Sequence, residues 1–501
     1  MVFDGKMKTL FICKASPTLG SGHVMRCLTL ANALYAKGWE CTFFCSAETV
    51  ETVPLLRSAP HNLVYDKGDL DHYQTAIIDR YDFDKADEAP FRAYADKIVV
   101  IDDLADRAHE CDVLLDQTYG RQKQDYESLV PDFCEFLLGA DYALLRPEFP
   151  IARQEALSRR EKRNGKLERI LVSLGGTNID NITGKVLSAF LDYNRHNLKI
   201  DVVMGGSASF QPDVEVLIEE LNTKSLHSVT LFRNVDSEKM VALMVNADLS
   251  IGAGGTTSWE RCCLGLPTVL IELADNQKDI ARDLDRAGAV INLGTHKNLS
   301  REALTSTLND LVSQPETLMS MTEKAASICN GHGLERVIPR LVLPEEKVSL
   351  SVMDKHDEKI LYEWQSSEGL RKYFRNSDAP SWEEHQTWFK KAVEDQKRQL
   401  FCIRHGRDKA GMLRLDSMED FHEYEISILV APGFQGKKIA SYALKQINKI
   451  YPEAVFYAEI HPENKASLRL FENAHYQKVT QTLYKLSGKN YERKKLYSCD
   501  H

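Results

Sequence analysis

Short apolar segments typical of β-strands alternate with helical segments along the first 340 residues, and this alternation occurs in two successive series. Strands that alternate with helices favour parallel sheets with helices on both faces. The predicted strands of the first series are Lys8–Cys13, Cys41–Cys45, Ala76–Asp79, Ile98–Asp102 and Val113–Asp116, and those of the second are Arg169–Leu174, Lys199–Met204, Val229–Phe232, Asp248–Gly252 and Thr268–Glu272. The pattern therefore predicts two doubly wound, Rossmann-like α/β domains over residues 7–152 and 168–340, with ligands at the strand carboxyl ends. The polar stretch 153–168 between them reads as a linker or a connecting helix.

The pattern changes near residue 341. The run LVLPEEKVSL over 341–350 reads as a linker, and the segment 348–487 has α+β order, with an amphipathic helix near 382–392 and a strong strand at 423–430. Each side has enough chain for its own core. We therefore expect a third, α+β domain over 348–487 that separates cleanly from the rest near Pro344.

Composition excludes several classes of protein. The net charge of the 501 residues is −10, which argues against a nucleic-acid partner. Eleven cysteines occur without a CxxC pair, as expected of free thiols in a reducing cytoplasm. No apolar run approaches the ~18–20 residues that span a bilayer, so we predict a cytoplasmic protein without a membrane partner.

A histidine follows a glycine-containing turn at the end of the first predicted strand. The run LGSGHVMR contains Gly20, Gly22 and His23 just where a helix pattern begins. Glycine permits close approach of the backbone to a ligand, and a helix N-terminus favours an anion and a neutral histidine. His23 is therefore a candidate general base. A histidine that merely caps the helix or packs in the loop is the alternative.

Two similar turns occur in the second series. LGGT ends a strand and opens a helix, and IGAGGTTSWE forms another strand-to-helix turn, so both offer amides and hydroxyls to a diphosphate. Glu260, inside the following helix, is placed to accept hydrogen bonds from ribose hydroxyls, although a tight turn and a solvated glutamate would explain the same residues. The candidate phosphate-binding residues are Gly175, Gly176, Thr177, Gly254, Gly255, Thr256 and Thr257.

Seven motifs in fixed order carry a family resemblance. LGSGHVMRC, IIDRYDFD, IDDLADRAHECDVLLDQTYGR, GADYALLRPEF, LGGT, GAGGTTSWERCCLGLPT and DNQ together resemble the UDP-sugar hydrolases of pseudaminic acid biosynthesis, which are related to the GT-B glycosyltransferases. The resemblance implies metal-free hydrolysis of UDP-2,4-diacetamido-2,4,6-trideoxy-β-L-altropyranose to UDP and the free sugar. It makes His23 the base for water and Tyr81 a catalytic residue, with Asp79, Glu260, Asn276 and Gln277 at the substrate.

Metal chemistry has one candidate in the sequence. Asp102 and Asp103 form an acidic pair after a predicted strand. No His/Asp/Glu cluster with convincing metal spacing accompanies them. We therefore expect no metal, and favour a structural or sugar-binding role for this pair.

The C-terminal segment contains an amide-rich loop between a strand and a helix. EISILVAPGFQGKKIASYAL, followed by HPENKAS, resembles the GNAT acetyltransferases, which implies acetyl-CoA as cosubstrate. Glu425 is our candidate for a base acting through water. The cofactor-binding residues carried over are Leu429, Val430, Gln435, Gly436, Lys437, Lys438, Ile439, Ala440 and Asn464.

Two positions depart from the GNAT pattern. Lys438 replaces a signature glycine, and Phe471 stands where many members carry the tyrosine that protonates the thiolate. Tyr476 and Tyr484 are alternative acids, or simply core aromatics. Since an acetyltransferase of this superfamily makes the hydrolase's substrate by acetylating a 4-amino group, a fusion of consecutive steps is the leading interpretation. A glycosyltransferase, or a nucleotide-sugar sensor with a degenerate GNAT domain, is the alternative.

Overall fold

A computed structural model describes residues 6–17, 19–175, 178–193, 196–205, 212–374, 378–418 and 422–488. The first of three sheets is built from β1 Lys8–Cys13, β2 Glu40–Phe44, β3 Asn62–Val64, β4 Tyr73–Asp79, β5 Ala95–Ile101, β6 Val113–Asp116 and β7 Glu135–Leu138. Its helices are α1 Gly22–Tyr35, α2 Ala47–Thr52, α3 Leu55–Ser58 and α4 Lys85–Glu88, and α5 Glu148–Arg163 leads to the second sheet.

The first sheet is parallel throughout, with strand order β3-β2-β1-β4-β5-β6-β7. Its central strand β1 is apolar, and Leu10 to Cys13 are completely buried, as expected of a strand covered by helices on both faces. The chain order reverses between β1 and β4, which creates a crevice at their carboxyl ends.

The second sheet repeats this arrangement. Its strands are β8 Arg169–Ser173, β9 Lys199–Met204, β10 Ser228–Arg233, β11 Leu249–Ala253, β12 Thr268–Glu272 and β13 Val290–Thr295. Its helices are α6 Ile182–Leu191, α7 Pro212–Lys224, α8 Ser237–Asn246, α9 Thr257–Cys263, α10 Lys278–Arg286, α11 Arg301–Ser313, α12 Pro315–Ile328 and α13 Gly333–Leu341. The strand order β10-β9-β8-β11-β12-β13, again parallel, reverses between β8 and β11.

The third sheet is mixed. Its strands, in the order β14-β15-β16-β17-β18-β20-β19, are β14 Val348–Val352, β15 Arg398–His405, β16 Asp408–Ser417, β17 Glu423–Val430, β18 Val455–Glu459, β19 Gln477–Lys478 and β20 Leu483–Ser487. Its helices are α14 Glu358–Gln365, α15 Glu368–Arg371, α16 Trp382–Glu394, α17 Ile439–Ile450 and α18 Lys465–Asn473. β17 and β18 run parallel but pair only from Glu423 to Glu425, so they separate beyond that point and leave an opening between them.

These three sheets confirm the predicted fold class, two Rossmann-like domains followed by an α+β domain. The polar stretch between the first two is mainly helix α5, one of the two alternatives that the sequence left open. No helix in the described part of the chain is long and apolar enough to cross a membrane.

The expectation of a clean separation near Pro344 is wrong. One apolar core continues from α1 through α13 into β14 and α17, so the first and third units share it. The backbone between them is held from both sides: Thr75 Oγ1 donates to the Leu341 carbonyl at 2.8 Å, and Gln446 Nε2 donates to the Leu343 carbonyl at 2.8 Å. Separating the first and third units at this point would expose Leu341 and Val348, which are completely buried.

Candidate active sites

The first site lies where the strand order of the first sheet reverses. Gly20, at a φ of +82° that L side chains rarely adopt, turns the chain between β1 and α1. A Cβ added at Gly22 would meet no described atom within 4 Å, so the backbone here faces open space. His23 follows in the first turn of α1, directly opposite the end of β4.

His23 is held by Asp79, the last residue of β4. Its Nδ1 lies 2.5 Å from Asp79 Oδ1, and both side chains are buried. Burial opposes ionisation of Asp79, but the charges of Arg26 and His23 hold the pKa of this carboxyl well below its usual range. A carboxylate can only accept, so the His23 nitrogen that faces it, Nδ1, carries a hydrogen, and Nε2 is the nitrogen left to accept a proton. His23 therefore does not cap the helix; its geometry is that of an oriented base.

Two further residues complete this group: Arg26, which the sequence did not indicate, and Asp103, for which a structural or sugar-binding role was expected. Arg26 Nε donates to Asp79 Oδ2 at 2.5 Å and Arg26 Nη1 donates to Asp103 Oδ2 at 3.0 Å. Tyr81 Oη donates to Asp103 Oδ1 at 2.6 Å, and its ring packs edge-on against His23 at 4.3 Å between centroids. Burial and Asp103 raise the pKa of Tyr81, so its hydroxyl remains protonated. We call His23, Arg26, Asp79, Tyr81 and Asp103 the His23 network.

Asp102 and Asp103 do not act as a pair. Asp102 is completely buried and accepts from the Ala105 amide at 2.9 Å and from Tyr126 Oη at 2.8 Å, while only Asp103 reaches the His23 network. Among the described residues, no group of three or more His, Cys, Asp or Glu is arranged to hold a metal ion. The absence of a metal requirement stays a prediction.

The glycine turns of the second sheet follow its own reversal point. Gly175, with a φ of +85°, comes after β8, while Gly176 and Thr177 lie outside the described residues. After β11, Gln277 Oε1 accepts from the Gly254 amide at 3.2 Å and from the Leu273 amide at 3.0 Å. Gln277 thus braces the turn that carries Gly255, Thr256 and Thr257, and a Cβ at Gly255 would again meet no described atom within 4 Å.

Two contacts join the first and second units across the cleft. Arg146 Nη2 donates to Glu260 Oε1 at 3.1 Å, and Asn276 Nδ2 donates to Tyr81 Oη at 3.3 Å. Burial raises the pKa of Glu260 despite the nearby Arg146. Glu260, the predicted ribose-binding carboxylate, is therefore bound by Arg146, which the sequence did not indicate. The two reversal points face each other.

The loop between β17 and α17 forms the second candidate site. Gln435 to Lys438 are exposed, and Lys438 stands at the start of α17 with a φ of 60° and a ψ of 11°. This left-handed conformation explains why a glycine is favoured at that position. Leu429 and Val430 end β17 beyond the last residue that pairs with β18, and Ile439 and Ala440 begin α17.

The remaining acetyltransferase candidates lie in different environments. Glu425 is half-buried where β17 and β18 part, whereas Asn464 Oδ1 caps α18 by accepting from the Ser467 amide at 3.1 Å. Phe471 packs edge-on against Tyr476, with 4.9 Å between ring centroids. Burial raises the pKa of Tyr476, whose hydroxyl has no partner among the described residues, and Tyr484 is also buried.

Comparisons with known proteins divide the chain in the same way. Residues 169–338 match the glycosyltransferase family 28 C-terminal domain, and residues 347–477 match the acetyltransferase (GNAT) domain. An uncharacterized protein of Methanocaldococcus jannaschii is 23% identical over 494 residues, which cover 94% of this chain and 97% of that protein. The UDP-2,4-diacetamido-2,4,6-trideoxy-beta-L-altropyranose hydrolase of Campylobacter jejuni is 27% identical over 287 residues, which cover 56% of this chain and 97% of the hydrolase.

A solved structure supplies the fold comparison. Acinetobacter baumannii MurG matches with a TM-score of 0.51 and 15% identity, over 66% of this chain and 98% of MurG, which shows a common fold. The chain thus joins a GT-B-like pair of Rossmann-like domains, the second of glycosyltransferase family 28 type, to a GNAT acetyltransferase domain.

Proposed function

We propose that residues 7–340 hydrolyse a UDP-sugar, namely UDP-2,4-diacetamido-2,4,6-trideoxy-β-L-altropyranose, to UDP and the free sugar. The observation that carries this proposal is the 2.5 Å contact between His23 Nδ1 and Asp79 Oδ1. It orients a neutral imidazole at the reversal point of one sheet, opposite the glycine turns of the other. The similarity to the Campylobacter jejuni hydrolase, whose length is almost fully covered, supports the choice of substrate.

The proposed reaction uses one base. His23 Nε2 accepts a proton from water, the water oxygen bonds to the sugar, and UDP departs as the bond between sugar and diphosphate breaks. UDP is a good leaving group, so the remaining tasks are to hold the diphosphate and to position water. The amides of the turns at Gly175 and Gly255–Thr257 would hold the diphosphate. Glu260 would bind the ribose once its contact with Arg146 is broken.

We further propose that residues 348–487 transfer the acetyl group of acetyl-CoA to the 4-amino group of the precursor UDP-sugar. Amides of the loop Gln435–Ala440 would bind the coenzyme A pyrophosphate at the start of α17. The amine nitrogen would bond to the acetyl carbon as the carbon–sulfur bond breaks, Glu425 would take the amine proton through water, and coenzyme A would leave as a thiolate that takes a proton from solvent. The product is the hydrolase's substrate, and the alignment with the Methanocaldococcus jannaschii protein spans both parts. Both reactions are proposed to be cytoplasmic.

The hydrolase is tested with His23→Ala, with the exposed His72→Ala as its matched control. We expect His23→Ala to lower the rate of UDP release by roughly 10²–10⁴-fold, the contribution of a general base, while the Kd for UDP stays the same. His72→Ala should behave as wild type. Wild-type turnover by His23→Ala would remove His23 as the base.

Product analysis separates the proposed function from its alternatives. Wild-type protein is incubated with the acetylated UDP-sugar and water, and separately with the UDP-4-amino-sugar and acetyl-CoA, and the products are identified by mass spectrometry. UDP and free sugar are expected in the first mixture, and an acetylated UDP-sugar followed by free sugar in the second. UDP release only with an added sugar acceptor would indicate a glycosyltransferase, and binding without turnover in either mixture would indicate a sensor.

A further inference from the structure

Arg26 bonds two carboxylates that serve different parts of the His23 network. Its Nε and Nη2 lie 2.5 Å and 2.6 Å from the two oxygens of Asp79, and its Nη1 lies 3.0 Å from Asp103. Asp79 in turn bonds His23, and Asp103 accepts from Tyr81. The Arg26 side chain is only 5% exposed, so it acts from a buried position and not at the surface of the site.

We propose that Arg26 is a positioning residue that sets the pH range in which His23 is neutral and ties the orientation of Tyr81 to that of His23. This proposal rests on the proposed hydrolase function, in which neutral His23 is the base. The bidentate contact of Arg26 with Asp79 fixes the plane of the carboxylate, and through it the direction of His23 Nδ1. The third bond fixes Asp103, and therefore the Tyr81 hydroxyl.

The charge balance gives the proposal a direction. Asp79 favours the protonated form of His23. Arg26 opposes it, because its positive charge is shared with the same carboxylate and its Nη2 lies 3.2 Å from His23 Nδ1. Removing Arg26 leaves Asp79 with His23 as its main counter-charge, so a higher pH is needed to keep His23 neutral. The other titratable or charged side chains near this group are Cys13 and Cys27 beside Asp79, Tyr81 and Asp103 within the network, Arg121 next to Asp103, the half-buried Lys14 and Arg80, and the exposed Asp82.

Replacing Asp103 should have the opposite effect. In Asp103→Asn, one negative charge near His23 is lost and the charge of Arg26 is no longer divided between two carboxylates. Both changes disfavour the protonated form of His23, so it should stay neutral to a lower pH. Opposite signs for Arg26 and Asp103 distinguish control of charge from a general loosening of the site.

The experiment measures the pH dependence of UDP release and, separately, the NMR titration of His23 in full-length protein labelled at histidine. The His23 signal is assigned by its loss in His23→Ala. Arg26→Met should shift the acid limb of the rate profile and the His23 midpoint upward by about one pH unit, which lowers activity by up to about tenfold below the wild-type midpoint and by progressively less toward pH 9. Arg26→Lys, which keeps the charge, should return the midpoint toward wild type but not the full rate.

Arg107→Met is the matched control. Arg107 bonds Asp102, the neighbour of Asp103, at 2.8 Å, and has no bond to the His23 network among the described residues. It should not move the His23 midpoint. If Arg26→Met does not fold, Asp103→Asn decides the matter. A His23 midpoint that stays unchanged in folded Arg26→Met or in Asp103→Asn would overturn the proposal. If wild-type protein releases no UDP, the proposed function fails, but the titration still tests the role of Arg26.

Discussion

Lys438 has a backbone conformation that glycine adopts more easily than lysine does. Its φ of 60° at the start of α17 is a conformation that glycine adopts without strain, whereas other residues pay about 1 kcal/mol or more. We therefore predict that Lys438→Gly raises the free energy of unfolding of the C-terminal unit by about 1 kcal/mol, as measured by thermal or denaturant unfolding.

Lys437→Gly provides the control for this prediction, because it removes the same charge from the neighbouring position without a positive φ. It should leave stability unchanged or lower it. If coenzyme A binding, measured by calorimetry, weakens equally in both variants, the loss reflects charge at the pyrophosphate. Equal or lower stability of Lys438→Gly relative to Lys437→Gly would contradict the strain argument.

Asp102 and Asp103 carry the prediction about metals. Asp102 accepts hydrogen bonds from backbone amides and Tyr126, and Asp103 accepts them from Arg26 and Tyr81. Neither carboxylate is therefore arranged as a metal ligand. We expect UDP release to be unaffected by EDTA. Loss of activity on chelation, restored by a divalent ion, would instead make these carboxylates candidate ligands.

The sequence indicates only part of the His23 network. His23 is recognisable because it follows a glycine-containing turn where a helix pattern begins, and Asp79 because it ends a strand pattern, where doubly wound folds place their ligands. Arg26 and Asp103 are not, because their roles depend on side chains that converge from α1 and from the turn after β5. Arg146 is equally hidden: its partner, Glu260, is more than a hundred residues away, and no local pattern links them.

Among the elements, central strands are predicted better than edge strands, although the edge strand β10 was predicted and the internal strand β20 was not. Lys8–Cys13, Lys199–Met204 and Thr268–Glu272 occur with the predicted bounds because buried parallel strands are continuously apolar. β3, β7, β13, β14 and β19 lie at sheet edges and were not predicted. An edge strand is paired on one side only and is partly exposed, as Asn62–Val64 shows, so its apolar signal is short.

The connection between β5 and β6 contains a completely buried histidine. His109 Nδ1 lies 2.8 Å from Glu88 Oε1 and its Nε2 lies 3.8 Å from Asp102. Burial lowers the pKa of His109, but Asp102 and Glu88 outweigh it and raise the pKa from 6.5 to about 9. A raised pKa stabilises the folded state fully below the unfolded value and loses that contribution as the pH rises through the folded value.

We therefore predict that the free energy of unfolding falls by about 3 kcal/mol between pH 6.5 and pH 10, and that this decrease is absent in His109→Gln. Denaturant unfolding over this range measures it. The exposed His72 pairs with Asp96, and His72→Gln should keep the wild-type dependence. The same decrease in His109→Gln as in wild type would assign it to other groups.

At the scale of the whole molecule, α13 explains why the two catalytic parts are not independent. Its residues Val337, Ile338 and Leu341 are buried in the core that also holds α1, β14 and α17. The sequence showed only a proline and charged residues after Leu341, which are typical of a linker. An apolar helix face that is shared by two units cannot be told from one that serves a single core, because both produce the same periodicity.

Trp39 tests this coupling. It is 1% exposed, and its Nε1 donates to the Ile450 carbonyl at 3.3 Å, so a residue of the first unit caps the last helix turn of α17. Beside it, Lys37 Nζ lies 4.0 Å from the Tyr451 ring centre.

Truncation of a buried tryptophan costs about 3–5 kcal/mol, and here the cavity lies between the units. Trp39→Ala should therefore lower the inactivation temperature of both UDP release and acetyl-CoA binding. Phe190→Ala, an equally buried truncation in the core of the second sheet, should lower the inactivation temperature of UDP release while leaving acetyl-CoA binding at the wild-type temperature. If acetyl-CoA binding in Trp39→Ala kept its wild-type inactivation temperature, the third unit would be stable without the shared core.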